Sequence, residues 1–367
     1  MANFDLTNLA VQMIAPNNKV ILDDAELPSV MVFIPKFKLS EVMNTQDNST
    51  HPAFIVNGHE IDGFYCSKYI NCTHDGLAYS LPAQDPQANI NFDNARARCE
   101  NKGNGWHLMT AAEWAAIALW CKKNGFMPYG NNNYGKDTRE SNYRAIPSMA
   151  KDSQGRTQRT ATGTGPVEWY HDKTLGGIAD LNGNVFEWQG GIRLVRGELQ
   201  ILANNDAADP DNPQNSTSEC WKAIDAATGA LVTPESQITD AAPKQSGSTV
   251  KLDWVSSKWT YSTGVSNAAG AQGCTFANVT CTEAIGDAAK LLLRALGMLP
   301  DADAVAADYQ DDYFYMNNSE AERCVFRGGY WSSGTGAGLF YSFGSNGRTN
   351  AAGSIGFRSA YIPEIIG

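Results

Sequence analysis

Cysteine and histidine spacing is the first place to look for catalysis or metal binding, and here neither residue type is arranged for it. The eight cysteines (Cys66, Cys72, Cys99, Cys121, Cys220, Cys274, Cys281 and Cys324) include no CxxC pair. That excludes a thiolate zinc knuckle and a thioredoxin-type redox motif. They are too sparse for a disulfide-built scaffold, although one or two bridges fit the count. The five histidines are scattered and make no HExxH or other compact ligand spacing. Oxygen donors gather once, in LNGNVFEW, where Asn182, Asn184 and Glu187 could bind calcium, a hard cation that suits such a loop. The plainer reading is a turn at Asn182-Gly183 followed by a glutamate hydrogen-bonded inside the fold.

The most informative stretch is Arg327–Arg358, RGGYWSSGTGAGLFYSFGSNGRTNAAGSIGFR. From Arg323 to Pro363 there is no Asp, Glu or Lys, in a chain with 39 acidic residues. Tyr, Ser, Gly and Asn are what binding loops use: rigid aromatics give contact area at low entropy cost, and small polar groups give adaptable hydrogen bonds. The same composition also reads as a Gly-rich β-meander whose small residues make turns.

The elements that must position these residues are legible in part. VMVFIPKF (30–37) reads as a buried strand bent at Pro35, and DGFYCSKYI (62–70) as a second strand. Phe92–Lys102 is a helix closed by Gly103. Thr110 and Glu113 form a capping box for a helix running to Gly125, with Trp114, Ile117, Ala118 and Cys121 on one face. A helix from Thr282 to Pro300 is also expected. Against a prior of roughly 100–200 residues per domain, 367 residues imply two domains or one with an insertion. The chain divides into a short leader with strand potential (1–30), a main domain (31–190 plus 321–367), and an insertion (191–320) carrying a small satellite core. A formal charge of −11 without a basic cluster argues against nucleic acid. No apolar run reaches the roughly eighteen residues of a membrane span, and the N-terminus has no secretion-signal pattern.

VMVFIPKF, FYCSKYINCT, HLMTAAEWAAIA, LNGNVFEW and RGGYW leading to SIGFRSA occur in one order. Together they resemble the formylglycine-generating-enzyme branch of the C-type lectin fold, over about residues 30–190 and 321–362. The resemblance implies an α+β fold of that type, with a large insertion before the C-terminal segment. It also implies a test for catalysis. The copper-dependent enzymes of this branch use two cysteines shortly after the Gly-Gly pair, and those places hold Ser333 and Gly338 here. Soft Cu(I) selects sulfur, so that route is not expected, and Cys324 lies on the wrong side of Gly328-Gly329.

The C-terminus is more similar to the variable proteins of diversity-generating retroelements. In that family a lectin-fold scaffold carries a ligand-binding face whose template asparagine codons (AAC or AAT) are altered at their adenines. On that pattern the template positions are Tyr330, Ser332, Ser333, Gly336, Phe343, Ser345, Asn346, Asn350, Ala352 and Ser354. Every residue type found there is reachable from an asparagine codon by adenine changes alone, or is asparagine itself. Trp331, Gly338, Leu339, Phe340, Gly356, Phe357 and Arg358 match the fixed framework, and the apolar ones should pack inward while the changeable positions face solvent. Tyr341 joins Tyr330 and Phe343 as an expected aromatic contact. Trp114, Trp188 and Trp331 are expected in the core, and Arg327 and Arg358 in fixed internal hydrogen bonds.

The resemblance therefore implies a non-enzymatic protein that binds a protein or glycan ligand on a target surface, needs no cofactor and no nucleic acid, and assembles as a homotrimer. Its place would be a virion, as part of a phage tail, or another surface display. The alternatives are a fixed-specificity, calcium-dependent lectin and a degenerate oxidoreductase of the formylglycine-generating type.

Overall fold

The computed structural model describes residues 3–303 and 305–363. The very ends of the expected leader and C-terminal segment, and one position of the expected insertion, lie outside the described residues. The elements that position the C-terminal face are helices α1 (Asn3–Ile14), α2 (Phe92–Glu100), α3 (Ala111–Asn124) and α4 (Asp287–Ala295). The strands are β1 (Asn18–Leu22), β2 (Pro28–Pro35), β3 (Gly63–Ser67), β4 (Trp106–Leu108), β5 (Phe186–Val195), β6 (Glu198–Ile201), β7 (Lys251–Val255), β8 (Lys258–Ser262), β9 (Ala271–Thr275), β10 (Tyr313–Asn317), β11 (Arg323–Arg327), β12 (Ser342–Asn346), β13 (Ile355–Phe357) and β14 (Ser359–Tyr361).

α3 is the hub. The Thr110 hydroxyl accepts from the Glu113 N–H at 3.1 Å and the Glu113 carboxylate accepts from the Thr110 N–H at 3.0 Å, so the expected capping box is closed. Gly125 ends the helix at φ 70°, a left-handed position that glycine adopts without strain. Its apolar surface is not confined to one face: Ala111 to Leu119 are all buried. Alanines at 111, 112, 115, 116 and 118 let backbone from both sides approach closely. The helix shares one core with Val32, Ile34 and Phe64 of the small sheet and with Leu194, Leu199 and Leu252 of the large one.

The small sheet has the order β1-β2-β3-β14-β4, and the large, twelve-stranded sheet runs β9-β10-β12-β11-β5-β6-β7-β8 along its main path, with the short strand Thr280–Cys281 at the end beyond β8. β13 pairs in parallel with β5, and β14 pairs with β3 and β4. The chain therefore leaves one sheet and enters the other at Arg358. This is the α+β C-type lectin architecture expected from the sequence.

Three local readings change. The expected insertion keeps a small cluster of its own at Leu202, Ala207 and Trp221, but most of it is not separate: Leu252, Trp259, Tyr261, Phe276 and Leu293 join the cluster around α3 and its strands extend the large sheet. The expected leader contributes α1 and the edge strand β1, paired with β2 from Asn18↔Val32 to Leu22↔Pro28. The helix expected from Thr282 starts only at Asp287: the Thr282 N–H is taken by the Tyr261 carbonyl at 2.8 Å, and Gly286 is the N-cap. Arg327, fully buried, closes the other end of that helix by donating to the Leu296 and Gly297 carbonyls at 2.9 and 3.0 Å. A cation suits the negative end of the helix dipole, and burial pushes this guanidinium down to about 10.

Arg358 is fully buried and donates to both Glu187 oxygens at 2.9 Å, to the Ser67 carbonyl at 2.8 Å and to the Ala179 carbonyl at 3.0 Å. One guanidinium thus joins β5 of the large sheet to β3 of the small one. Removing one partner leaves the other charge buried and unpaired, which costs about 3–5 kcal/mol. Arg358→Met and Glu187→Leu are each expected to lose that much in urea unfolding. The double variant should recover most of it, and single losses below about 1 kcal/mol would contradict the pair's role.

Candidate functional site

Strand pleating sends alternate residues to opposite faces of a sheet. In β10 it sends Phe314 and Met316 into the main core, and leaves Tyr313 and Tyr315 half-buried on the other face. In β12 it buries Ser342 and Gly344 and leaves Phe343 and Ser345 half-buried. Strand pairing sets Tyr315 opposite Phe343, and Phe343 opposite Phe326 of β11. With Phe186 of β5 these rings form a row across four strands. Centroids step 4.5 Å from Phe186 to Phe326, 4.6 Å to Phe343 and 4.9 Å to Tyr315. Phe326 and Phe343 lie 12° from parallel. At the neighbouring position of β5 this same face is covered by α2, where Phe92 meets Trp188 edge-on at 6.0 Å and the indole N–H bonds the Ile90 carbonyl. Phe186 and Phe326 are buried, whereas Phe343 and Tyr315 at the far end of the row are half-buried and reach solvent.

A tight turn sits beside the row. Gly328 and Gly329 take φ 88° and 84°, and a side chain at 329 would meet Ala337 at 2.6 Å. The Ser333 hydroxyl accepts from the Tyr330 N–H at 3.0 Å, so it is spent on the turn. Tyr330 lies 5.0 Å from Phe186, half-buried, and Trp331 turns inward against Ile70 and Val185. Ser332 and Gly336 are half-buried on the same turn. Ala352 packs against the aromatic cluster, and the Ser354 carbonyl accepts from the Phe186 N–H at 2.8 Å. Asn346, half-buried, donates through its carboxamide to exposed Asn350 at 3.2 Å at the far end of β12.

The structure therefore brings Tyr330, Phe343 and Ala352 onto one cluster, with Ser332, Ser333 and Gly336 on the adjoining turn, and Ser345, Asn346 and Asn350 along the rim. Tyr341 does not belong with them. It is 7% exposed, held 5.3 Å from Phe186 and 6.4 Å from Tyr313, and burial pushes its phenol up. Its N–H bonds the Gly338 carbonyl in a turn that points the ring under the face instead of out of it. Conversely, Tyr313 and Tyr315 belong to the open face, although sequence reasoning placed them inside an insertion. The period-2 pattern of YFYM was the available signal.

Beside the turn lies a cleft of about 400 Å³, bounded by Thr335 and Ala337, by Thr138 and Arg139, and by Gln310 and Asp311. Arg139 is fixed there by two contacts to Asp137 and by lying 3.6 Å over the Tyr129 ring. Beneath it, buried Asp312 accepts from the Phe340 N–H at 2.7 Å, while its second oxygen has no partner. A side chain at Gly338 would meet that oxygen at 1.9 Å. Burial pushes the Asp312 carboxyl up to about 7.

The oxygen donors of LNGNVFEW are engaged internally. Both Glu187 oxygens face Arg358, and the Asn184 oxygen accepts from the Thr160 N–H at 2.9 Å and from the Asn131 carboxamide at 3.2 Å. The Asn182 oxygen accepts from Asn132 at 3.4 Å.

The stretch from the end of α1 through β5, including the hub helix and its capping box, matches a family model, the sulfatase-modifying factor enzyme 1-like domain, over residues 10–193. The chain belongs to this family. No curated protein matches it. Among solved structures, this family member is similar to the U1 variant of the Major Tropism Determinant, at 11% identity and a TM-score of 0.28, over 90% of this chain and 62% of that one. It is also similar to PvdO from Pseudomonas aeruginosa, at 13% identity and a TM-score of 0.34, over 94% of this chain and 97% of that one. Variable protein 1 of Treponema denticola is similar at 11% identity and a TM-score of 0.29, over 95% and 100% of the two chains. The chain thus spans less than two thirds of the Major Tropism Determinant variant, and likenesses this distant say nothing of activity.

The burial contrast sets an expected outcome. Tyr341→Ala should cost about 3–5 kcal/mol, as large aromatic truncations in cores do, whereas Asn350→Ala should stay within about ±0.5 kcal/mol; denaturant midpoints compare them. Asp312 gives a second. Its folded value is raised, so its stabilising share is complete below the unfolded value near 4 and is lost as pH rises through about 7. Asp312→Asn should remove that decline from the curve of melting temperature against pH. An unchanged curve would contradict it.

Proposed function

We propose that this chain is a non-enzymatic ligand-binding protein whose C-terminal face is diversified by a retroelement through adenine-directed mutagenesis. One observation carries the reading. All ten positions that the resemblance marks as changeable are half-buried or exposed, whereas all seven framework positions from Trp331 to Arg358 are buried. Such a split lets side chains change on the face while stability is held below it, since surface exchanges usually cost within about ±0.5 kcal/mol.

Tyr330 and Phe343 would supply most of the binding energy, as aromatics in the centre of interfaces do, with Ser332, Ser345 and Asn350 shaping access. The ligand would be a protein or glycan on a target surface, met by a protein displayed on a virion or another surface. Assembly as a trimer would add avidity. Catalysis by the copper route does not fit the residues present. The Ser333 hydroxyl is held in the turn, and position 338 has no room for a thiol beside Asp312. Cys324 is fully buried, and burial pushes its thiol up.

The deciding experiment is to sequence the DNA flanking the gene. The expected finding is an imperfect copy of the segment encoding residues 327–358, differing at adenines of the copy, beside a reverse-transcriptase frame. Absence of any such copy would make the face a fixed one. Because the oxygens of Asn182, Asn184 and Glu187 are spent inside the fold, chelator is expected to leave the melting temperature unchanged. A chelator-induced fall of several degrees would favour the calcium-dependent lectin.

A further inference from the structure

Another pocket is built without the C-terminal segment, by β2, the later turns of α3 and the loop around His171. Its volume is about 170 Å³. Val32 and Ile34 of β2 and Ile117 and Trp120 of α3 form apolar walls, with Phe33 and Phe37 beside them. An apolar cavity of roughly 150 Å³ takes a benzene ring, so this space suits one six-membered ring with a small substituent. Among the described residues, none that lines it lies beyond Gly176, so it shares nothing with the face described above.

The polar end of the pocket is made by His171 and Asp172. The His171 N–H donates to the Ile178 carbonyl at 2.9 Å, and the Ile178 N–H donates back to imidazole Nδ1 at 2.8 Å, so the ring is clamped. With Nδ1 accepting, the neutral ring carries its proton on Nε2. Burial pushes the imidazole down to about 4, so this is the form present at neutral pH. Nε2 has no hydrogen-bond partner among the described residues, and the 6% of His171 that is exposed lies on a side chain lining this pocket. A buried donor left without an acceptor is destabilising. The Asp172 carboxylate accepts from the Thr174 N–H at 2.9 Å and its hydroxyl at 3.0 Å, and keeps capacity for a further donor. A hydroxyl is the group that can accept from Nε2–H and donate to a carboxylate at once. An anionic ligand would instead meet Asp172 as a like charge.

We propose that this pocket is a binding site for an uncharged small molecule of one-ring size that carries a hydroxyl. The ring packs among Ile34, Ile117 and Trp120, and the hydroxyl bridges His171 Nε2 and Asp172. Such a ligand joins β2, α3 and the loop before β5, and by binding only the folded chain it raises stability. The site does not rest on the ligand-binding reading of the C-terminal face, and either can fail without the other.

The test is calorimetric titration of the full chain with p-cresol and with toluene, which differ by the hydroxyl. The wild type is expected to bind p-cresol with a submillimolar Kd, about tenfold more tightly than toluene, as one net hydrogen bond contributes. His171→Asn keeps an acceptor for the Ile178 N–H but removes the Nε2–H, and should bring the two affinities together. Should it lose its folded signal, Asp172→Ala, at a half-buried position, gives the same reading by weakening p-cresol alone. Ile117→Phe fills the pocket from α3 and should abolish binding of both. If that variant does not fold, Asn17→Trp closes the mouth from an exposed position. A wild type that binds no p-cresol, or binds both compounds equally, would overturn the proposal. So would a preference retained in folded His171→Asn, or p-cresol binding unchanged in a folded filling variant, which would place the compound elsewhere.

Discussion

The pairing of Arg358 with Glu187 is the constraint on which the rest of the structure depends. The guanidinium sits where the chain passes from the large sheet to the small one, and its four hydrogen bonds are divided among β5, the end of β3 and the loop before β5. Two short strands on either side of it, β13 and β14, fix the C-terminal segment to both sheets. A charge pair this deep is retained only where its remaining donors are satisfied, because desolvation otherwise exceeds the attraction. Here the Ser67 and Ala179 carbonyls each accept from a donor that the carboxylate does not take. With both ends anchored, by Arg327 under α4 and by Arg358 between the sheets, the intervening 30 or so residues can present a surface without having to hold the fold together.

That division of labour explains the chemistry of the face. Rings from β5, β11, β12 and β10 stack against one another, so Phe343 is held between Phe326 and Tyr315 before any ligand arrives. Pre-ordering of this kind lowers the entropy cost of binding. The face carries hydroxyls, carboxamides and ring edges but no carboxylate or ammonium between Arg323 and Pro363. Arg348, the charged side chain nearest the rim, is bound to Glu322 at 2.7 and 2.8 Å and to Asp93 at 2.7 Å. Specificity there must come from shape and hydrogen bonding instead of net charge.

The parts of this arrangement that were legible in the sequence are those whose signals are local. The Thr110–Glu113 box and Gly125 lie within sixteen residues of each other and define α3 without reference to anything else. The burial of Trp114, Trp188 and Trp331 followed from residue type, and the fixed roles of Arg327 and Arg358 from their place in the Arg-Gly-Gly and Gly-Phe-Arg motifs of the resemblance. What depended on distant partners was not legible. Tyr315 faces Phe343 only because β10 and β12 pair across a long connection, and alternation within YFYM does not say which face a sheet leaves open. Residue type alone groups Tyr341 with Tyr330 and Phe343 as an aromatic contact. The backbone turn from Gly338 places it underneath. The strand potential of the leader is met by β1, whereas α1 ahead of it is a helix with Leu6, Leu9, Met13 and Ile14 exposed.

The central claim is that the framework residues carry the fold and the ten changeable positions do not. It is tested most directly by two libraries assayed for protease resistance. In one, Tyr330, Ser332, Ser333, Gly336, Phe343, Ser345, Asn346, Asn350, Ala352 and Ser354 are varied together among residues reachable from an asparagine codon by adenine changes. In the other, Trp331, Gly338, Leu339, Phe340, Gly356, Phe357 and Arg358 are varied over the same residue set. Most members of the first library should remain folded and few of the second. Equal losses in the two would contradict the account.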